Sequence, residues 1–183
     1  MIGITVLIIP LAVVVWGIYV YNALIQDRNR VSQAWSDVDV QLTRRHDLVP
    51  RLVEIVKGYA GYERALLTSL AELRSRGEDV SPATRSNVER SVSSGVKQLI
   101  ALVERYPDLK ASQNFSDLHT KLVDTENQIQ YARRYYNGAV NRFNNRIQRF
   151  PDLIIARLAS FELAEFFDLD SPDAAAAPKV ALP

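Results

Sequence analysis

The chain has 183 residues, with 22 Lys and Arg against 21 Asp and Glu and no cysteine. Charge that is so nearly balanced argues against a nucleic-acid partner, and the absence of cysteine excludes disulfides, iron–sulfur clusters and thiolate zinc sites. The length suffices for one membrane segment and one domain of about 140 residues.

Residues 1–26 predict a transmembrane helix. No charged side chain occurs from Ile2 to Gln26, and residues 2–21 (IGITVLIIPLAVVVWGIYVY) have the length of about 20 residues that crosses a hydrocarbon core. A cleaved signal peptide is the alternative, but the segment lacks a basic start and a small-residue cleavage site. The aromatic residues expected at the membrane interface are Trp16, Tyr19 and Tyr21.

The basic residues that follow the segment predict its orientation. Arg28, Arg30, Arg44 and Arg45 come after the span, and nothing before it is charged except the terminal amine. The positive-inside rule then places the protein in the cell (inner) membrane as a single-pass protein, with its N-terminus outside and its domain in the cytoplasm. Arg28 and Arg30 are also placed to contact anionic lipid headgroups, although a topology-setting role alone explains them.

A heptad pattern begins after the span and predicts a long helix over about residues 22–76. Its apolar positions alternate in steps of four and three, interrupted by Arg45 and Glu63: Val31, Trp35, Val38, Leu42, Val49, Leu52, Val56, Tyr59, Leu66, Leu70 and Leu73. The phase carries across Pro50, which favours one helix kinked there, with Asp47 capping a new helix as the alternative.

Three further helices are predicted over about residues 82–105, 114–149 and 152–166. The 114–149 segment keeps the heptad most clearly, from Phe115 through Tyr136 and Phe143 to Phe150. Residues 169–183 predict a disordered tail, and no segment alternates as a strand would. The expected fold is all-α: an N-terminal transmembrane helix that continues into a long-helix, antiparallel, four-helix-type bundle over residues 27–168.

Polar residues beside the heptad positions predict contacts between helices. Glu126, Arg133 and Asn137 belong to a polar stripe on the third soluble helix, for which Asp39, Arg44 and Arg45 of the first are plausible partners. The stripe could instead bind another chain. Trp35 and Tyr59 lie in the apolar seams and are expected to be core residues.

Several ordered segments resemble the LemA family along nearly the whole chain. They are residues 28–31 (RNRV), 34–42 (AWSDVDVQL), 44–50 (RRHDLVP), 56–60 (VKGYA), 106–111 (YPDLKA), 125–127 (TEN) and 132–137 (ARRYYN). The resemblance implies a bacterial, membrane-anchored, antiparallel helical bundle without an established activity. Some members of the family serve in the formation of bacterial organelle membranes, so the resemblance also suggests a role in organising membranes.

No catalytic, metal or cofactor site is predicted. Dinuclear metal sites in bundles use Glu-x-x-His pairs, but Thr43 and Ser116 stand three residues before His46 and His119. No glycine-rich phosphate loop and no nucleophile elbow occurs either. We therefore expect a non-enzymatic scaffold whose partners are the lipid bilayer and copies of itself, with an accessory subunit of a membrane protease or transporter as the alternative.

Overall fold

A computed structural model describes residues 2–59 and 82–167, and every helix within them is α-helical. The elements are α1 (Ile2–Tyr59), α2 (Pro82–Val103), α3 (Pro107–Lys110), α4 (Gln113–Gln148) and α5 (Asp152–Leu158). No strand occurs in these ranges, so the prediction of an all-α protein with a long apolar N-terminal helix followed by further helices is confirmed. The predicted end of the first helix near residue 76, the positions Glu63 to Leu73 and the tail lie outside the described residues.

The first helix runs unbroken through Pro10 and Pro50. Asp47 lies within it and does not cap a new helix, which excludes the alternative considered above. At Pro50 the missing N–H costs about 3 kcal/mol, which the burial of Val49 and Leu52 on either side offsets.

The chain forms two compact units, of which unit 1 comprises Met1–Arg45 and Leu122–Glu165. Within it α1 and α4 are antiparallel, since Asp27 contacts Arg146 whereas Arg45, farther along α1, contacts Glu126, which comes earlier in α4. Val20 and Leu24 share an apolar cluster with Phe143 and Ile147. Ala156 of α5 completes that cluster. The partly buried residues packed against it are Trp16, Val31, Ile155, Phe161 and Ala164. We call this group the unit 1 cluster.

Unit 2 comprises His46–Lys121 and Phe166–Pro183. Its buried apolar side chains follow the heptad positions of three helices and include Val49, Leu52, Val56, Val92, Val96, Leu99, Val103, Phe115 and Leu118. Polar groups are buried here as well: the imidazole of His46 lies 3.2 Å from a carboxylate oxygen of Glu89, which is buried. The predicted a/d pattern therefore places apolar side chains in the interior of this unit.

Two predicted boundaries differ from the structure because turns intervene. Phe150, assigned to the heptad, is 74% exposed, since α4 ends at Gln148 and the positions after it no longer follow the helical period. The last helix ends at Leu158 instead of about residue 166. Ser160 adopts the left-handed conformation (φ 53°), in which a right-handed helix cannot continue.

A Schellman motif closes α5. The N–H of Phe161 donates to the carbonyl of Ala156 (2.9 Å), and the N–H of Ser160 donates to that of Arg157 (3.1 Å). Glycine usually occupies the left-handed position of this motif, and here a serine does. The turn directs Phe161 back onto the unit 1 cluster and so fixes the path of residues 161–165.

Candidate functional site

A buried carboxylate held by three arginines lies just beyond the apolar part of α1. The Asp27 side chain is 2% exposed. Its Oδ1 lies 3.2 Å from Nη1 of Arg30 and 3.2 Å from Nε of Arg142, and its Oδ2 lies 2.9 Å from Nη1 of Arg146. A carboxylate buried to this degree is tolerated only when opposite charges and hydrogen bonds replace its water, and the three guanidinium groups provide both.

Helical spacing brings these groups together. Arg30 follows Asp27 by three residues on α1, while Arg142 and Arg146 are four apart on one face of α4. Nε of Arg146 also donates to Oδ2 of Asp152, the first residue of α5, at 2.9 Å. The hydrogen bond to Asp27 is the main reason that the pKa of Arg146 lies above its usual range, with that to Asp152 adding to it. One guanidinium thus joins α1, α4 and α5.

An open groove of about 780 Å³ runs beside this charge cluster. It is lined by Tyr19, Asn22, Ala23, Ile25, Gln26, Asn29, Arg30, Gln33, Arg142 and Arg146. Guanidinium groups stay protonated, so the cluster is unsuited to acid–base catalysis. It can hold helices together, and its arginines, more numerous than its carboxylates, also suit an anionic group such as a phosphate.

Two of the residues predicted at the membrane interface, Tyr21 and Arg28, contact Phe161. The ring of Tyr21 meets the Phe161 ring edge-on at 6.1 Å between centroids, and the guanidinium carbon of Arg28 lies 5.7 Å from the centroid of the same ring. Trp16 is half-buried against the unit 1 cluster, whereas Tyr19 is exposed. Arg30 is engaged with Asp27. All of these contacts are between side chains of the protein, so the assignment of the residues to the membrane interface stays a prediction.

Two of the predicted interaction residues form an ion pair inside unit 1. Arg45 is 1% exposed, and its Nη1 donates to Oε1 of Glu126 at 2.8 Å. Trp35 lies with its ring centroid 5.3 Å from that of Tyr136. At Glu126 the polar stripe of α4 therefore contacts α1 directly, as its predicted structural role requires.

The other predicted positions that the structure describes are less buried than Arg45. Arg44 lies 3.7 Å from Asp124, and both side chains are about half exposed. Asp39, Arg133 and Asn137 are half-buried. In unit 2 the exposed Pro50 lies within α1, and the side chain of Tyr59 lies outside the described residues.

Sequence reasoning missed the Asp27 cluster. The signal was present, because Asp27 precedes the seam residue Val31 by four and therefore lies on the buried side of α1. The arginines at positions 142 and 146, four residues apart, carry the positive charges that balance the Asp27 carboxylate. Neither was singled out, because the positive-inside rule draws attention only to the basic residues that follow the span.

Metal-ligating side chains do not gather in groups of three or more in the part of the chain that the structure describes. His46 is paired with Glu89, and His119 stacks on Phe115 with 5.8 Å between ring centroids. Both histidines therefore have structural contacts that explain their positions.

Comparison with known proteins gives a family match and several similar proteins. The LemA family matches residues 34–182. The chain is 26% identical over 148 residues to the Protein LemA of Metamycoplasma hominis, a match that covers 79% of this chain and 68% of that protein. It is 22% identical over 174 residues to Magnetosome protein MamQ 2 of Paramagnetospirillum magneticum and to Magnetosome protein MamQ of Magnetospirillum gryphiswaldense. These matches cover 80% of this chain and 64% of each magnetosome protein, less than two thirds of their length.

Proposed function

The chain belongs to the LemA family, and from this premise we propose that it is a membrane-anchored, non-enzymatic helical-bundle protein that organises membranes by associating with copies of itself. The observation that carries the proposal is α1, one helix that is apolar enough to span a membrane and that continues into the helical unit. None of the relatives named above carries the name of an enzyme, and the magnetosome names favour a membrane role.

The exposed side chains of α1 support anchoring. Seven large apolar residues in its first part face outward: Ile8, Ile9, Leu11, Val13, Val14, Val15 and Ile18. Such a continuous apolar surface is unfavourable in water and is what hydrocarbon chains cover in a transmembrane helix. Extraction of membranes with alkaline carbonate tests this directly. We expect the full chain to stay in the membrane pellet, and its release into the supernatant would contradict anchoring.

The orientation follows from the arginines after the span and has its own test. Because the chain has no cysteine, a single cysteine in place of the exposed Ser32 of unit 1 gives one reactive site. A membrane-impermeant maleimide should label it only after the cells are permeabilised, whereas a Gly3→Cys variant should react in intact spheroplasts. The reverse pattern would place the helical domain outside.

Self-association is supported by an aromatic surface on unit 1. Tyr131 and Tyr135, one helical turn apart on α4, are each 61% exposed, and Val40 of α1 is equally exposed. They line an open groove together with Asp37, Gln41, Gln128 and Ala132. Tyrosines contribute large contact areas at low entropic cost, and they are enriched where protein chains meet. We assign this surface to a second copy of the chain.

Light scattering in mild detergent, corrected for bound detergent, tests the assignment. The full chain should form a defined oligomer, and the Tyr131→Ser/Tyr135→Ser variant should be smaller. Tyr106→Ser, which removes a part-exposed tyrosine from unit 2, is the matched control and should leave the mass unchanged. A monomeric full chain would exclude self-association.

The alternative role is that of an accessory subunit of a membrane protease or transporter. The polar residues around the two tyrosines favour it, because surfaces of mixed polarity are typical of partners that dissociate. Crosslinking in the native membrane separates the two roles. A single dominant integral enzyme captured through residue 131 would favour the accessory role, and capture of the same chain would favour the scaffold.

A further inference from the structure

Three large apolar side chains project from the turn and helix that end unit 1. Phe150 is 74% exposed, Ile154 is 52% exposed and Leu158 is 83% exposed. They recur every four residues, so Ile154 and Leu158 lie on the same side of α5. We call these three residues the apolar shelf. Exposed apolar groups that adjoin each other in this way indicate a surface that another apolar phase covers.

The contacts of Ala156 and Ile155 show at which point along α1 the helix α5 lies. Ala156 belongs to the unit 1 cluster with Val20, and a methyl group placed on Gly17 would lie 3.6 Å from Cδ1 of Ile155. Gly17 lies within the apolar segment, four residues before Tyr21. At 1.5 Å per residue that is about 6 Å inside the end of the segment. Ile155 is therefore level with the last turn of the span.

From this juxtaposition we infer that α5 is a second point of membrane contact, with Ile154 and Leu158 inserted among the lipids at the bilayer surface. The inference rests on the proposed anchoring of α1. If Gly17 lies within the bilayer, side chains that point away from it at the same depth meet lipid. The occupant is the bilayer because Ile155 lies against Gly17, which places α5 beside the apolar segment of α1, whose residues Ile18 and Tyr19 are also exposed.

The charges around the shelf fit this depth. Asp152, which a membrane surface would disfavour, is bound by Arg146 and largely buried. Arg149 and Arg157, by contrast, are exposed on either side of Ile154. Arginine side chains near the membrane surface extend their charged ends toward the headgroups while their methylene stems remain among apolar groups. The inserted element thus has apolar residues facing the lipid and cations at its borders.

Single-site fluorescent labels on the full chain test the inference. Because the chain has no cysteine, Ile154→Cys, Leu158→Cys, Val123→Cys and Val14→Cys each accept one environment-sensitive nitrobenzoxadiazole label. Val123 is the matched control, an exposed apolar residue of unit 1 on α4 and remote from α5 in sequence. Val14 reports the anchor itself. Each labelled protein is reconstituted into vesicles of phosphatidylcholine and phosphatidylglycerol, with and without doxyl-labelled lipid.

We expect doxyl lipid to quench the labels at 154 and 158 as strongly as the label at 14, and aqueous iodide to quench only the label at 123. Quenching at 14 with iodide-accessible labels at 154 and 158 would overturn the inference and leave anchoring intact. Labels at 154 and 158 that neither quencher reaches would overturn it in favour of a protein contact, such as a second copy. Absence of lipid quenching at 14 would remove the anchor and the inference together.

Discussion

Nη1 of Arg45 lies 2.8 Å from Oε1 of Glu126, a pair 81 residues apart in the sequence. Arg45 occupies a seam position of α1 between the buried residues Leu42 and Val49. A charge at such a position is stable only if its partner is in place, since an uncompensated buried charge costs several kcal/mol. The pair therefore helps to determine which residues of α1 and α4 lie opposite each other in unit 1.

Glu126→Gln should lower the free energy of unfolding by about 1.5–3 kcal/mol, because it weakens a charge-assisted hydrogen bond to a buried guanidinium. Denaturant unfolding in mild detergent measures this through tryptophan fluorescence. Both tryptophans, Trp16 and Trp35, lie in unit 1 and report on it specifically. Asp124→Asn, at the exposed pair with Arg44, should change the value by less than about 1 kcal/mol. Equal losses in the two variants would contradict a special role for the buried pair.

Asp27→Asn should destabilise unit 1 by about 3 kcal/mol, because three guanidinium groups would then face one another without their shared carboxylate. The same fluorescence measurement applies. Asp37→Asn is the control, since it makes the same chemical change at an exposed position of α1. If Asp27→Asn were as mild as its control, the cluster would be solvated more fully than its geometry indicates.

Ser160→Gly should stabilise the protein by about 0.5–1 kcal/mol. Glycine removes the steric cost of about 1–2 kcal/mol that the left-handed conformation imposes on an L-residue, and this gain exceeds its greater entropy in the unfolded chain. Ser32→Gly, within the regular part of α1, should have the opposite sign and cost about 0.5 kcal/mol. A loss of stability at residue 160 would show that the serine side chain contributes more than its backbone costs.

Tyr136 makes the stability of unit 1 sensitive to alkaline pH. Burial, followed by the charge of Glu165, raises the pKa of Tyr136 above its ordinary value of 10.0, and its hydroxyl donates to the Glu165 carbonyl at 2.8 Å. The folded state therefore retains this proton at a pH at which the unfolded chain has lost it. The stabilisation is fully present below about pH 10 and is lost as the pH rises through the folded-state pKa.

Tyr136→Phe should accordingly cost about 1 kcal/mol near neutral pH through the lost hydrogen bond, and it should lose less additional stability than the parent protein at about pH 11. Unfolding free energies of both proteins at the two pH values decide this. If both proteins lost the same amount of unfolding free energy between the two pH values, groups other than Tyr136 would be responsible for the alkaline sensitivity.

Periodicity predicted the helices well because apolar spacing is a local property. Val38, Leu42 and Leu52 were placed in the seam and are fully buried, and the long helix does continue through Pro50. The end of the last helix was not predictable in the same way. It depends on Ser160 in a conformation that serine seldom adopts, and on the docking of Phe161 into a cluster formed by distant parts of the chain.

The charged contacts were harder to predict because their partners are far apart in sequence. Arg45 was among the plausible partners of the polar stripe, but its sequence position alone did not identify Glu126 as the residue it binds. Asp27 and Arg146 are 119 residues apart, so neither is remarkable until α1 and α4 are aligned. An antiparallel arrangement of α1 and α4 could have been expected from the sequence. Only the structure shows which residues of the two helices lie opposite each other.

The sharing of α1 between the apolar segment and the unit 1 cluster has a consequence for how such a protein is made and degraded. Trp16 and Val20 belong to the apolar segment, and both also contribute to the interior of unit 1. A protease that cut between Tyr21 and Asp27 would remove part of that interior and could not release an intact soluble domain. For the same reason, a chain that began at Asp27 would lack Trp16, Val20 and Leu24, so unit 1 made without the apolar segment would have an incomplete interior.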